Sequence, residues 1–319
     1  MVLSELQLRR CKYCNSYHVV RYGHTKGKMT RLLCRDCRHT FMDSDALPGM
    51  KTPTNQVASA VSMYYEGMSL NAIRRQLQQE HNSYPSDSTV YEWIKRYSSK
   101  AVKETKNYKP NVGDVWVANE TVLKIEGKNV WFWDIIDSKT RFLLASHMST
   151  TRTTKDAKIL VSKASERAGK IPKVIVTDKL AAYLDGIELA FGADTKHITG
   201  QETDITARHS TYRRFHGSLK ARTKVMRGLK KRESAQLLLD GWLVHYNFFR
   251  PHESLKHKTP AEYAGIKSPF RNWLDIVKSP PTITTKTVTT SETEIPRLGA
   301  PIPRIKTQPR RRTSIGGVH

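Results

Sequence analysis

The chain contains the basic stretch Tyr212-Arg213-Arg214-Phe215-His216-Gly217-Ser218-Leu219-Lys220-Ala221-Arg222, within a patterned region between residues 209 and 266. Apolar residues and one threonine recur at helical steps in and after this stretch: Leu219, Thr223, Met226 and Leu229. Cations occupy most of the remaining positions: Arg213, Arg214, Lys220, Arg222, Lys224, Arg227, Lys230 and Lys231. The pattern predicts a basic helix with a narrow apolar seam, and such a helix favours a polyanion as its partner.

A second helix is predicted over Glu233 to Phe249, and Pro251 ends it. Its end belongs to the run Tyr246-Asn247-Phe248-Phe249-Arg250-Pro251-His252-Glu253-Ser254-Leu255, which is followed by Lys258-Thr259-Pro260-Ala261-Glu262-Tyr263-Ala264-Gly265-Ile266. These two runs resemble the end of the catalytic domain in insertion-sequence DDE transposases, which are relatives of retroviral integrases. The resemblance implies an RNase H-like α/β core over about residues 114–266.

The charge balance points to nucleic acid as the partner. The 319 residues contain 54 Lys and Arg against 29 Asp and Glu, a formal net charge of +25 with a pI near 10.0. Double-stranded DNA is therefore the expected partner. An anionic membrane surface is the alternative, but the sequence has no apolar span of 18 residues and no signal peptide at its start. We expect a cytoplasmic, nucleoid-associated protein without a membrane partner.

All four cysteines lie before residue 40, in the pairs Cys11-Lys12-Tyr13-Cys14 and Cys34-Arg35-Asp36-Cys37. Two CxxC pairs separated by nineteen residues can place four thiolates around one tetrahedral zinc ion. Residues 19–22 and 31–33 can pair as short strands across the intervening turn. The spacing predicts a structural zinc ribbon over residues 1–47, with free or redox-active thiols as the alternative.

The role of this ribbon is open on sequence grounds. Its cations suit phosphate contact, although zinc ribbons also bind proteins: Lys12, Arg21, Lys26, Lys28, Arg31, Arg35 and Arg38. His18 and His24 are expected at the surface and not as ligands, because four cysteines complete the zinc shell.

Three short helices are predicted between residues 52 and 100, after a linker at 48–51. Ser69 and Ser86 are placed to cap the second and third helices. The last helix leaves polar groups outward that suit base edges and phosphates: Ser88, Thr89, Glu92, Lys95 and Arg96. The trio predicts a helix-turn-helix domain, and a small helical bundle without DNA contact is the alternative. In the transposases that this chain resembles, such a domain recognises the ends of the element.

From Val115 onward the pattern changes to β-strands. Strands are predicted at 115–118, 122–125, 130–136, 141–146 and 173–177, with a helix over Thr153–Ala168 that ends before Gly169. Asp178 directly follows the last strand. Antiparallel hairpins, a helix and a buried strand that ends in a carboxylate predict a mixed α/β sheet with its site at the strand ends.

The family that the chain resembles uses three carboxylates to hold two divalent ions about 3.5–4 Å apart for phosphoryl transfer. The first family carboxylate opens an Asp-Glu-Thr run, which here reads Asn119-Glu120-Thr121. The second is retained as Asp178, between Thr177 and Lys179. The third opens a Glu-Arg-Phe-His-Gly run, and here Arg213 occupies that position. Two of the three metal-binding carboxylates are therefore replaced.

The charge at these positions opposes metal binding. Asn119, Asp178 and Arg213 sum to zero charge, whereas an intact triad carries three negative charges. A guanidinium about 4 Å from a dication costs roughly 8 kcal/mol at an effective dielectric near 20. Asparagine can offer a weak carbonyl ligand and arginine none. The sequence predicts that the two-ion site does not form.

Substitute carboxylates are conceivable but nothing in their spacing favours them: Glu120, Asp134, Asp137, Glu202 and Asp204. Strand alternation places Glu120 on the sheet face opposite Asn119. Asp178 could survive as a relic or as an N-cap of the next helix. Arg213 and Arg214 could then contact a phosphate in the former active-site groove.

These observations predict a DNA-binding protein derived from a DDE transposase, degenerate or domesticated and catalytically inactive. Its expected DNA contacts are Ser88, Thr89, Lys95, Arg96, Arg213, Arg214, Lys220 and Arg222. Structural zinc is the expected cofactor, and magnesium only if the alternative of an active transposase with a rearranged site holds. A regulatory subunit of an intact transposase, an engineered inactive variant and a general chromatin-type binder also remain open. The resemblance implies a homodimer or a higher oligomer.

Residues 280–319, basic and rich in Thr and Pro near their start, are expected to be a disordered tail that either binds DNA electrostatically or has no role.

Overall fold

The computed structural model describes residues 9–26, 28–178, 180–199, 217, 219 and 232–279. Its first element is a three-stranded antiparallel sheet of β1 (Val19–His24), β2 (Thr30–Cys34) and β3 (Thr40–Met42), in that order. The sheet encloses a small apolar cluster of its own, formed by Cys11, Val19, Leu32, Cys34 and Phe41. The predicted pairing of two strands between the cysteine pairs is confirmed, and β3 is an addition to it.

Three helices follow: α1 (Thr54–Tyr65), α2 (Leu70–His81) and α3 (Asp87–Thr105). Ser69 caps α2 by accepting a hydrogen bond from the Ala72 amide, and Ser86 caps α3 by accepting one from Thr89. Both caps were predicted. Helix α3 extends beyond residue 100, the predicted end of the three-helix region, because its second half buries Ser98, Ala101 and Thr105 against the rest of the protein.

The central sheet contains β4 (Val115–Ile125), β5 (Lys128–Asp137), β6 (Leu143–Ser149), β7 (Val174–Thr177) and β8 (Lys196–Thr199). Their order in the sheet is β6-β5-β4-β7-β8; the pairs among β4, β5 and β6 are antiparallel, and the pairs β4–β7 and β7–β8 are parallel. This mixed α/β sheet confirms the RNase H-like fold that the resemblance implies. The two strands predicted at 115–118 and 122–125 are one continuous strand, since all of β4 pairs with β5.

Helices α4 (Thr154–Ala168) and α5 (Ala181–Phe191) pack against each other beside the sheet. Thr153 and Asp156 form a capping box at the start of α4, and Gly169 ends it with a positive φ of 69°. Gly186 permits the close approach of the two helices, because a Cβ there would lie 2.6 Å from that of Ala157.

The chain then forms α6 (Arg232–Val244), a π-helical turn (His245–Phe249), a 3₁₀ turn (Glu253–Leu255), α7 (Pro260–Tyr263) and α8 (Trp273–Lys278). The helix predicted over residues 233–249 therefore ends early as an α-helix: its last part widens into the π turn before Pro251. Helix α8 buries Trp273, Ile276 and Val277.

One hydrophobic cluster joins α1, α2 and α3 to the central sheet and to α6 and α8. Helix α3 packs on α6, and α1 packs on α8. The three-helix unit is thus anchored to the α/β core by shared apolar residues. Among the described residues, no helix combines the length and the apolar character that crossing a membrane requires.

Candidate functional site

The neighbouring strands β4 and β7 bring together two of the three positions where the family carries metal ligands. These strands are parallel, and their last registered pair is Val117 with Val176. Two residues further along each chain are Asn119 and Asp178. Asn119 lies within β4, opposite Asp134 of β5, and its Oδ1 accepts a hydrogen bond of 2.8 Å from the Glu120 amide. Strand pairing therefore places Asn119 next to Asp178, at the edge of the sheet where β7 ends.

Arg152, in the segment before α4, occupies this edge and was not foreseen from the sequence. Its guanidinium forms an ion pair with Glu120 and lies 3.7 Å from Oδ2 of Asp178. It also stacks 4.6 Å from the ring centroid of Trp131. A fixed cation thus links the two carboxylates. No local pattern identifies Arg152, because only the folded arrangement of three strands brings it to them.

Glu120 is almost completely buried in this arrangement. Burial, and then the negative charge of Asp178, raises the pKa of Glu120, while Arg152 acts in the opposite direction. Glu120 pairs across the strands with Trp133, whose ring meets that of Tyr183 edge to face. The register agrees with the prediction that Glu120 and Asn119 occupy opposite faces of the sheet. Arg152 nevertheless connects Glu120 with Asp178.

Asp178 is not the N-cap of α5, which corrects one suggestion from the sequence. The N-cap position is Leu180, and Asp178 Oδ1 accepts a hydrogen bond of 3.2 Å from the Leu180 amide. The carboxylate therefore accepts a hydrogen bond from the amide of the N-cap residue and does not itself cap the helix. One oxygen serves this turn, and the other faces Arg152.

The described donors at this edge do not fit a pair of divalent ions. Such a site needs several anionic oxygen ligands around each ion. Here Asn119 offers an amide, and Asp178 is already shared between a backbone amide and Arg152. Among the described residues, only the four cysteines form a group of three or more His, Cys, Asp or Glu with metal-ligand spacing.

The substitute carboxylates differ in what they contact. Asp137 is committed to a turn, since its Oδ1 accepts from Gly113 and its Oδ2 accepts from the amide and hydroxyl of Thr140. Asp134 is fully buried opposite Asn119. Glu202 and Asp204 lie outside the described residues.

The four cysteines form a compact cluster at one end of the ribbon. The Sγ atoms all lie within 4.8 Å of one another, with Cys11–Cys37 at 3.5 Å and Cys14–Cys34 at 3.6 Å. A tetrahedral zinc–thiolate site with Zn–S bonds of about 2.3 Å requires S···S separations of about 3.8 Å. All four thiols are free of disulfides. The residues therefore fit one zinc ion, which would cross-link the two CxxC turns.

The predicted DNA-reading side chains lie on the first half of α3. Ser88, Thr89 and Arg96 are exposed, and Thr89 shares a hydrogen bond of 2.9 Å with Ser86. Lys95 is only partly exposed: its ammonium forms a 2.6 Å ion pair with Glu92 and lies 5.2 Å from the ring centroid of Tyr91. The hydrogen bond from Glu92 raises the pKa of Lys95. Part of its charge is thus engaged within α3, which the helical pattern did not indicate.

The remaining predicted contacts fall on Arg213, Arg214, Lys220 and Arg222, which lie outside the described residues. Within that stretch the structure describes Leu219, which is fully buried. Its burial agrees with the predicted apolar seam at this one position.

A protein-family model described as a DDE domain, from transposases of the IS240 type, matches residues 113–252. Among solved structures, the catalytic core domain of HTLV-2 integrase in complex with magnesium, in its trimeric form, is 18% identical, with a TM-score of 0.39 over 49% of this chain and 97% of that one. An intasome of simian T-cell lymphotropic virus in complex with the PP2A regulatory subunit B56 gamma contains a chain that is 13% identical, with a TM-score of 0.36 over 73% of this chain and 80% of that one. The catalytic core domain of BIV integrase is 15% identical, with a TM-score of 0.37 over 47% of this chain and 92% of that one. No curated protein matches the chain in sequence. The range matched by the family model contains Asn119, Arg152 and Asp178.

Proposed function

We propose that this chain is a DNA-binding protein derived from an insertion-sequence DDE transposase and that it has lost strand transfer. The match of residues 113–252 to the DDE-domain family supports the origin. The observation that carries the proposal is the chemistry where β7 ends beside β4. Asparagine stands at one carboxylate position, and the retained Asp178 lies beside the guanidinium of Arg152. The third position is Arg213.

The physical argument concerns the first step of catalysis, which is the binding of two metal ions. A dication that entered between Asn119 and Asp178 would be repelled by the positive charge of Arg152. It would find one carboxylate, whereas the reaction needs three. Without these carboxylates the site does not hold the metal ions that would activate water or a 3′-hydroxyl. The net charge of +25, in contrast, retains the attraction to a phosphate backbone.

DNA binding in this proposal has two parts. Helix α3 reads discrete sites through Ser88, Thr89 and Arg96, with Lys95 as a weaker contact because Glu92 already holds it. The basic stretch contributes phosphate contacts through Arg213, Arg214, Lys220 and Arg222. A chromatin-type binder would lack the first part and coat DNA without preference.

One alternative rests on a specific observation. Asp134 is buried opposite Asn119, so a carboxylate is retained next to the degenerate first position. An active transposase with a rearranged site would use Asp134, Asp178 and a further carboxylate, and it would require Mg²⁺ or Mn²⁺.

The decisive experiment combines footprinting and cleavage on the same genomic DNA fragments. The full zinc-loaded chain should protect discrete sites without divalent ions, and it should leave the DNA intact when Mg²⁺ or Mn²⁺ is added. The matched variant Asn119→Asp/Arg213→Glu restores both lost carboxylates and should gain metal-dependent nicking. Metal-dependent cleavage by the unmodified chain would establish the alternative, and uniform protection would indicate a general binder.

The contribution of the basic stretch to DNA binding can be measured separately, from the salt dependence of the affinity. Charge reversal of Arg213 and Arg214 to Glu should weaken binding and make the slope of log K against log salt shallower by about 0.9 per lost phosphate contact. The matched control reverses Lys124 and Lys128, which are exposed on the β4–β5 hairpin. Equal effects of the two pairs would mean that net charge alone matters, and no effect of the first pair would remove it from the interface.

We also propose that the protein associates with itself, and that it can join an intact related transposase as a regulatory subunit. The family resemblance supports this expectation. Light scattering of the purified chain, alone and on DNA, should give the mass of a dimer or a higher oligomer. A monomer under both conditions would contradict it.

A further inference from the structure

A groove lies between the zinc ribbon and the segment that leads to α1; we call it the ribbon groove. Its volume is about 270 Å³. Its apolar lining residues include Phe41 and Met42 of β3. Its other lining residues are Lys12, Tyr13, Arg31, Thr40, Leu47, Pro48, Gly49, Met50 and Lys51.

Several contacts fix the walls of the ribbon groove. The ammonium of Lys12 donates to the carbonyls of Ser44 and Ala46, the latter at 2.6 Å. Met50 accepts a hydrogen bond of 3.3 Å at its sulfur from the hydroxyl of Tyr97 in α3. The groove is therefore held by both the ribbon and the three-helix unit, so its shape does not depend on one loop.

The charged residues that line the ribbon groove are all positive. Its lining contains Lys12, Arg31 and Lys51 and no carboxylate. Burial lowers the pKa of Lys12, partly offset by the charge of Asp45, and its ammonium is directed at backbone carbonyls. Among the described residues, no carboxylate lies within ion-pair distance of Arg31 or Lys51. These two cations are the ones available to an anionic ligand.

Aromatic rings stand next to these cations. Tyr13 is 44% exposed at the rim and stacks on His39, with ring centroids 4.4 Å apart. The guanidinium of Arg31 lies 5.9 Å from the ring centroid of Tyr22, which is also exposed. Rings that are fixed and exposed beside unpaired cations are the elements with which proteins bind unpaired bases and their phosphates.

We propose that the ribbon groove binds one unpaired nucleotide of a DNA strand, with its base stacked on Tyr13 and its phosphate held by Arg31 and Lys51. The proposal rests on the proposed DNA-binding function and adds a second, strand-specific site to it. Its volume is below the roughly 300–1,000 Å³ of pockets for drug-sized ligands, which suits one base and excludes a duplex. Bases inside a duplex are stacked on each other and cannot enter. The site therefore distinguishes a single strand or a DNA end from an intact duplex.

The test measures binding of the full zinc-loaded chain by fluorescence anisotropy to three DNAs: a blunt duplex, the same duplex with a short overhang, and the single strand. The chain should prefer the overhang to the blunt end. Tyr13→Ala should weaken binding to the overhang and to the single strand roughly tenfold, since a stacked base contributes about 1–3 kcal/mol. Binding to the blunt duplex should change less than twofold. Arg31→Gln and Lys51→Gln should act in the same direction.

Matched controls separate stacking from folding. Tyr13→Phe keeps the ring and should keep the preference, and the zinc content of each variant shows that the ribbon is intact. Tyr263→Ala removes an exposed tyrosine remote in sequence from the ribbon and should change nothing. Equal losses on blunt and overhanging DNA, or none on either, would overturn the inference while leaving duplex binding in place. Failure of the unmodified chain to bind any duplex would instead refute the proposed function.

Discussion

Asn247 shows what a single residue of the run at 246–255 contributes. It lies in the π-helical turn, and its side chain is buried against the start of β6. Its Oδ1 accepts a hydrogen bond of 2.9 Å from the Leu143 amide, and its Nδ2 donates one of 3.0 Å to the Leu143 carbonyl. The amide thus pairs with the backbone of Leu143 as a neighbouring strand would. The π turn and this pairing occur together. A primary amide can both donate and accept at neutral pH, which an ionised carboxylate cannot do.

Asn247→Ala should lower the free energy of unfolding by about 2–4 kcal/mol, because it leaves two buried backbone groups without partners. Denaturant titration measures the change. Asn247→Asp should also be destabilised at pH 7, where its carboxylate faces the Leu143 carbonyl, and should recover as the pH falls and the acid can donate. Asn129→Ala, at an exposed position of the β4–β5 hairpin, is the control and should be nearly neutral. A neutral Asn247→Ala would show that the pairing contributes little.

His252 provides a pH dependence. Burial, and then the positive charges of Arg250 and Arg141, lowers its pKa to about 4 from the ordinary 6.5. The folded protein therefore binds fewer protons here than the unfolded chain between these two values, so this residue makes stability fall as the pH drops from about 6.5 to about 4.

His252→Gln removes the titrating group and should flatten this part of the pH profile, measured as the denaturation midpoint at several pH values. His257→Gln, at an exposed position, is the control and should leave the profile unchanged. Identical slopes for the unmodified protein and His252→Gln between pH 6.5 and 4 would contradict the assignment.

Helices and strands that are specified by residues close together in sequence could be predicted. Those that depend on tertiary packing could not. Ser69 and Ser86 cap their helices as predicted, because a cap depends on residues three apart. The short edge strand β8 was not predicted, and helix α5 was expected only as a helix without stated bounds after Asp178, since their sequences carry no clear period. The same limit applies to Arg152: Asp178 at a strand end was predictable, but its cation comes from a segment that only the fold brings near.

We expect the ribbon to depend on a bound metal more than on its core. Its apolar cluster contains five residues, and two of them are the cysteines Cys11 and Cys34. So small a core supplies little stability, and we therefore expect metal binding to supply the rest.

Removal of zinc by a chelator should therefore unfold the ribbon and leave the central sheet folded. Hydrogen exchange should show loss of protection in β1 to β3 alone. Cys34→Ser should have the same effect without a chelator. His18→Ala and His24→Ala are the controls and should retain zinc, because four thiols already form the cluster. Protection of β1 to β3 that survives chelation would mean that the ribbon folds without metal.

The whole molecule is organised by the contact between the three-helix unit and the α/β core. Tyr65 of α1 stacks on Trp273 of α8, with centroids 5.1 Å apart, and its hydroxyl bonds to Ser98 of α3. His245 connects both sides: its Nε2 is 2.9 Å from Glu66, and its Nδ1 accepts from the Trp273 indole at 3.1 Å. This shared interface fixes the direction of α3 relative to the site at the strand ends.

Gly241 of α6 allows this interface to close. A Cβ at this position would lie 2.1 Å from the Tyr65 hydroxyl and 2.8 Å from the Cβ of Ser98. Gly241→Ala should therefore overpack the interface and cost about 1–3 kcal/mol in the free energy of unfolding, although alanine favours a helix.

A double-mutant cycle tests this cause directly. Tyr65→Phe removes the oxygen that the new methyl group would meet, so Gly241→Ala should cost less in that background than alone. Relief should be partial, because the contact with Ser98 remains. Gly127→Ala, in a turn with open space, is the comparison: its cost comes from a positive φ of 75° and should be independent of Tyr65. If the effects of Gly241→Ala and Tyr65→Phe on the free energy of unfolding were additive, the contact between residue 241 and the Tyr65 hydroxyl would not be the cause of the overpacking. The direction of α3 would then have to be set by the contacts of α8 with α1.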